Sequence, residues 1–216
     1  MYIPDHFRMS EADSSEFLRQ ARTGTLVSSD PESGRPLATF LPWVVSSGDR
    51  LTSHIGRVNP QSAHGSTLGS PDALVILMGD DAYVCQEWLA PGSAPSWNYE
   101  TVQVYGRLVT HEDPDWILQS WSDMLHRYST TTLEAYDHDW LVKQARAVTG
   151  VEIVITEIQA KSKLSQNRSA ADVLAVAAGV EPSCPHLAGR MRAVSLPHIA
   201  AREERVRNAT PYTLAD

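Results

Sequence analysis

Three short polar segments carry residue types that could grip a ligand: HIGRVNPQ from His54 to Gln61, SWNY from Ser96 to Tyr99, and KLSQNR from Lys163 to Arg168. The first follows a short apolar run, Leu51 to Ser53, where a strand should stop and a loop can present polar groups to a pocket. His54 can bind iron as a neutral imidazole from such a strand end. Arg57, Lys163 and Arg168 supply cations for a phosphate or propionate, Trp97 and Tyr99 supply flat walls, and Asn59, Gln61, Asn98 and Gln166 supply amides. Together they match what a planar, anionic cofactor needs. Each also has a plainer reading: a turn at Asn59-Pro60, a core aromatic at Trp97, a solvated face at Lys163 and Arg168. Cys184-Pro185-His186 is a weaker rival for an iron ligand. There is no GxGxxG, no GxxxxGK[ST] and no GxSxG, which removes the usual dinucleotide, P-loop and hydrolase-elbow readings.

These segments must be held by the elements around them. Ser10 or Ser14 should cap a first helix containing Phe17, Leu18 and Ala21, ended by Gly24. Strands are expected over 25–29, 36–45 with Pro42 at an edge or bend, 51–55, and 73–78. A break at Gly79-Asp80-Asp81 should precede a partner strand over 82–86, and 96–108 should alternate with Val102, Val104 and Gly106 on one face. Asp113 or Asp115 should cap a helix with Trp116, Ile117, Trp121, Met124 and Leu125 as an apolar stripe, expected to be scaffold. A second helix with Trp140, Leu141, Ala145 and Val148 should stop at Gly150, before a strand over 151–158. A brief helix after Gln61 and a capping box at Ser169 to Asp172 complete the pattern. About six or seven short strands with clustered helices favour an α+β fold, an antiparallel barrel with peripheral helices, over a βαβ sheet. Residues 1–178 should form the cofactor-binding domain and 179–216 a C-terminal extension, helical or mobile, that packs on a partner subunit or stays free.

The chain of 216 residues, 42% hydrophobic, is long enough for a real core. Its net charge of -8 disfavours direct DNA binding and attraction to an anionic membrane. Two cysteines, Cys85 and Cys184, are too few for a disulfide framework or a Cys-based zinc site and fit a cytoplasmic setting. The opening MYIPDHFR holds no long apolar run, and no later stretch approaches the roughly 18 apolar residues of a membrane span.

The opening MYIPDHF, the HIGRVNPQ loop, SWNYETVQVYGRL and AKSKLSQNR after VEIVITEI resemble the PaiB family, labelled FMN-binding negative transcriptional regulators, over roughly residues 1–172 in the same order. The resemblance implies a split β-barrel of the FMN-binding type, built as a homodimer with cofactor sites at the subunit interface. The same scaffold includes haem enzymes that form N–N bonds in N-hydroxylated ornithine or lysine, the piperazate synthases and their relatives. Their haem-ligating His carries over to His54. The chain departs from the family pattern at GDDAYVCQEWLA, Gly79 to Ala90, where members have Gly-Pro-His-Ala-Tyr followed by Ser-Pro-Ser-Trp-Tyr, and at Gln103, where many have His. These departures suggest a specialised substrate.

The resulting expectation is a haem b enzyme, with His54 on the iron and a small amino-acid-like substrate. Arg57, Lys163 and Arg168 pair with propionates or the substrate carboxylate, and Asp80, Asp81 and Glu87 hold a substrate ammonium, unless they form a plain exposed acidic loop. The alternative is an FMN-binding regulator or a flavin oxidoreductase on the same fold. A regulator would need a partner, because no helix-turn-helix pattern appears.

Overall fold

The computed structural model describes residues 1–46, 49–66 and 72–209, and side chains at 64–66 are left aside. Five helices are present among them: α1 Glu11–Gln20, α2 Pro114–Tyr128, α3 His138–Ala145, α4 Ala170–Val180 and α5 Pro185–Ala209. The strands are β1 Thr23–Ser29, β2 Pro36–Pro42, β3 Val44–Val45, β4 Arg50–Gly56, β5 Asp72–Val84, β6 Ser96–His111 and β7 Val148–Lys163. They form one antiparallel seven-stranded sheet in the order β2-β1-β5-β6-β7-β4-β3. The fold is α+β of the split-barrel type, as expected. No helix among the described residues is long and apolar enough to cross a membrane.

The chain divides into two compact units. The first comprises Met1–Ser10, Gly79–Thr101 and Ala160–Asp216; the second comprises Glu11–Met78 and Val102–Gln159.

In the second unit, Pro42 closes edge strand β2, whose register pairs Thr23 with Pro42 through Ser29 with Pro36. Trp43 interrupts the strand expected over 36–45: its backbone N–H turns to the Arg22 carbonyl, and its buried indole N–H donates to the Gly24 carbonyl at 3.3 Å. Leu26, Leu51, Val75, Leu77, Val104, Leu108, Ile117 and Ile153 form the buried core. Val102, Val104 and Gly106 are buried on one face of β6, as the alternation predicts. The Asp113 carboxylate accepts from the Asp115 N–H and caps α2, with Pro114 in its first turn. Asp137 caps α3 by accepting from the Trp140 N–H at 2.8 Å.

Four expectations are corrected here. Gly24 does not end α1, which stops at Gln20; it lies within β1. Gly150 does not stop α3, and Val148 is not helical: both belong to β7. Gly150 is required for packing, since a Cβ there would sit 2.4 Å from the Trp116 ring. The break expected at Gly79-Asp80-Asp81 is also absent, because the polar side chains face outward while β5 runs on to Val84. Gln86 then opens a 3-10 turn, Gln86–Trp88, instead of ending a strand.

In the first unit, Val84, Leu164, Val176, Ala177, Val180, Leu187, Ala188 and Met191 make one apolar cluster, with Trp88 and Leu89 against it. Gly179 lets α4 meet the Trp88 indole, which lies 2.2 Å from where a Cβ would stand. The Ser169 hydroxyl accepts from the Asp172 N–H and starts α4, as the capping box predicts. The stretch expected as an extension is helical over Pro185–Ala209, opening on Pro185 where a missing N–H is harmless. Its Leu187, Ala188, Met191, Ser195 and Ile199 are buried.

Candidate functional site

In the second unit, antiparallel pairing sets His54 on β4 opposite Gly150 on β7. Helix α2 offers Trp121, Met124, Leu125 and Tyr128 at i, i+3, i+4 and i+7, a single helical face. With Leu133, Tyr136, Trp140, Leu141 and Gln144 these residues and His54 line a cavity of about 570 Å³. The stripe on α2 was expected to be scaffold; it also walls this cavity. Its helical spacing was visible in the sequence, but amphipathic spacing alone does not separate a core face from a cavity wall.

The imidazole of His54 is half-buried, and its Nδ1 accepts a hydrogen bond from the Trp121 indole N–H at 3.2 Å. The two rings meet edge to face, centroids 5.7 Å apart. Burial pushes the His54 pKa below its ordinary 6.5, so the neutral ring persists at neutral pH. An indole only donates, so Nδ1 holds a lone pair and the ring proton rests on Nε2. Nε2 has no partner among the described residues. The residues preceding each ring, Ser53 and Ser120, hold buried hydroxyls that also lack a partner among the described residues.

The rest of HIGRVNPQ is tied to protein groups. Arg57 donates to the Val148 carbonyl at 3.3 Å and pairs with Glu112 at 3.7 Å. The Asn59 amide donates to Thr39 at 3.0 Å, and its oxygen accepts from the Gln61 N–H at 2.9 Å. Buried Gln61 donates to Ser28 at 2.9 Å and accepts from Thr39 at 2.5 Å. Of this segment, His54 is the residue bordering the cavity.

In the first unit, SWNY and KLSQNR meet, whereas HIGRVNPQ belongs to the second unit. Ser165 takes φ 72°, uncommon for a residue with a side chain, and buried Asn98 bridges to its hydroxyl while also reaching the Met191 sulfur. Gln166 is buried, donating to the Ser162 carbonyl at 2.6 Å and accepting from the Leu164 N–H at 2.7 Å. Lys163 donates to Ser96 Oγ at 2.6 Å and to the Trp97 carbonyl, and Arg168 donates to the Ala94 carbonyl at 2.7 Å. Burial, then the positive charges of Arg168 and Lys161, holds the Lys163 pKa below its ordinary value. No carboxylate pairs with Lys161, Lys163 or Arg168 among the described residues. Both lysines lie over the Tyr99 ring, at 5.5 and 6.0 Å, and Trp97, 51% exposed, meets Tyr83 edge to face.

Of the acidic residues, Asp80 accepts from or pairs with His186 Nδ1 at 2.8 Å, and Asp81 and Glu87 are exposed. Cys184 is half-buried; its partial burial raises the thiol pKa, a backbone hydrogen bond with Leu187 opposes this, and Asp80 and Asp81 add to the rise. Among the described residues no group of three or more His, Cys, Asp and Glu could hold a metal ion.

A family model described as "Putative FMN-binding domain" matches residues 1–157. The chain is 31% identical over 185 residues to protease synthase and sporulation protein PAI 2 of Bacillus subtilis, covering 82% of this chain and 87% of that protein. Among solved structures, it is similar to the conserved hypothetical protein Rv2991 of Mycobacterium tuberculosis, with a TM-score of 0.56, 19% identity, and coverage of 76% and 91% of the two chains. It is also similar to the flavocytochrome Anf3 of Azotobacter vinelandii, with a TM-score of 0.54, 16% identity and coverage of 74% of each chain. At those identities the structural likenesses establish the fold. The chain belongs to the PaiB-like family of FMN-binding-domain proteins.

Proposed function

We propose that this protein is a haem b enzyme whose macrocycle lies in the cavity beside His54, with His54 as the iron ligand. The observation that carries the reading is a neutral, half-buried imidazole, with one nitrogen unpartnered among the described residues, on the wall of an apolar and aromatic cavity. Apolar walls with a single imidazole suit a hydrophobic macrocycle. Among the described residues the cavity lining includes no Lys or Arg, so the propionates would find their partners outside it. His54 would serve as a neutral iron ligand through Nε2 once its ring proton moved from Nε2 to Nδ1.

The reaction proposed is ring closure of an N-hydroxylated diamino acid, supported by the resemblance of HIGRVNPQ to the N–N bond-forming enzymes. The second amine of the substrate attacks the hydroxylated nitrogen, an N–N bond forms, the N–O bond breaks, and water leaves with no net oxidation. Bound haem would supply a Lewis-acidic or redox iron that weakens the N–O bond. The protein's own part is to exclude water and fold a flexible diamine back on itself. Such proximity is worth roughly 7 to 11 kcal/mol in favourable intramolecular cases. Trp121, Tyr136 and Trp140 provide the walls for this. A homodimer is part of the proposal.

A second reading, FMN binding without such turnover, is favoured by one observation in the first unit. Lys161 and Lys163 lie over the Tyr99 ring near exposed Trp97, the charge of Arg168 acts on Lys163, and none of the three is in a salt bridge among the described residues, a combination that fits a phosphate and a flat ring.

Purified protein titrated separately with hemin and FMN separates the two. Under the haem reading, hemin gives a shifted Soret band that His54→Ala abolishes, and the loaded protein converts N-hydroxyornithine with loss of water. Saturable FMN binding weakened by Lys163→Ala, with no Soret shift, would replace it with the second reading.

A further inference from the structure

We infer that Trp121 is a positioning residue that locks His54 in the Nε2–H tautomer, and that any iron ligation at His54 Nε2 must first undo this lock. The inference rests on the haem reading for its iron arm, while its tautomer arm concerns the metal-free chain alone. An imidazole that ligates a metal through one nitrogen ordinarily donates its other N–H to a carboxylate, a carbonyl or water. The partner of His54 Nδ1 is instead an indole N–H, which can only donate. Two donors cannot face each other across 3.2 Å, so the present contact and an Nδ1–H tautomer exclude each other.

The lock is built into rigid elements. His54 sits on β4, paired along its length with β7, and Trp121 sits mid-helix on α2. Binding iron at Nε2 displaces the proton held there. It moves to Nδ1, and the Trp121 indole N–H must turn away from a nitrogen that no longer accepts. Trp121 is therefore more than a wall of the cavity: it sets which nitrogen is available and what must move.

Nitrogen NMR of the metal-free full chain, with labelled histidine, reads the tautomer directly. The expected result is a single Nε2–H form for His54 in the wild type and a mixture in Trp121→Phe. Because Phe is smaller and could disturb the cavity, a benzothiophene analogue at position 121 removes the N–H with the ring shape kept. It should give the same mixture. Removing one neutral hydrogen bond should also tighten hemin binding by roughly three- to tenfold in both variants. A wild-type His54 found as Nδ1–H, or a tautomer unaltered by loss of the indole N–H, would overturn the inference. Hemin affinity unchanged or weakened in both variants would overturn its iron arm. If wild-type chain bound no hemin, the proposed function would fail and the tautomer measurement would still decide the lock.

Discussion

Replacing Arg190 with Met tests whether α5 is built into the core of its unit. Arg190 Nε lies 3.2 Å from each carboxylate oxygen of Glu100, and its Nη2 is 3.0 Å from Oε1. The Glu100 side chain is only 5% exposed and Arg190 26%. Ser162 Oγ donates to the same carboxylate at 2.5 Å and would stay behind. Breaking a buried ion pair by removing one partner costs roughly 3–5 kcal/mol, because a carboxylate is left desolvated without its cation. Partial exposure of the guanidinium and the retained serine place Arg190→Met near the lower end, about 3 kcal/mol. With an m-value of about 2 kcal/mol per molar urea, the midpoint should fall by about 1.5 M. Adding Glu100→Gln to Arg190→Met should recover more than half of that loss, since a neutral amide carries no unpaired charge. A midpoint shift below about 0.5 M at unchanged m would refute the reasoning.

Two further outcomes follow from the second unit. Gly150→Ala places a methyl group 2.4 Å from Trp116, whose ring is stacked on His111 at 3.9 Å and has little freedom to retreat; overpacking should destabilise by about 1–3 kcal/mol, read by thermal unfolding. For Glu152, burial would raise the pKa, but the hydrogen bonds and charges of Arg50 and His111 outweigh it and hold the carboxyl below its ordinary 4.5. The group therefore stabilises the fold above pH 4.5, and that contribution is lost as pH falls through its folded-state value. Glu152→Gln should flatten the acid limb of the stability–pH curve, measured by urea unfolding from neutral pH downward, and an unchanged limb would remove Glu152 as its source.

The amino-acid sequence by itself determined the fold class and most of the elements. Alternation along Val102, Val104 and Gly106 and the side-chain caps at Asp113 and Ser169 act over a few residues, so local chemistry suffices to read them. It was less informative where a residue's role depends on what crosses from far along the chain. Gly150 reads locally as a helix stop, and only the approach of Trp116 reveals it as a packing glycine. Gly79-Asp80-Asp81 reads as a turn, yet outward-facing polar side chains let β5 continue. The same limit applies to the site. HIGRVNPQ announces its ligand-type residues, but Asn59 and Gln61 bond to Thr39 and Ser28, and His54 alone of the segment reaches the cavity. What only tertiary structure decided is the company His54 keeps: α2, more than sixty residues later in the chain, presents an indole donor to Nδ1, and a hydrogen bond of that range leaves no trace in local spacing.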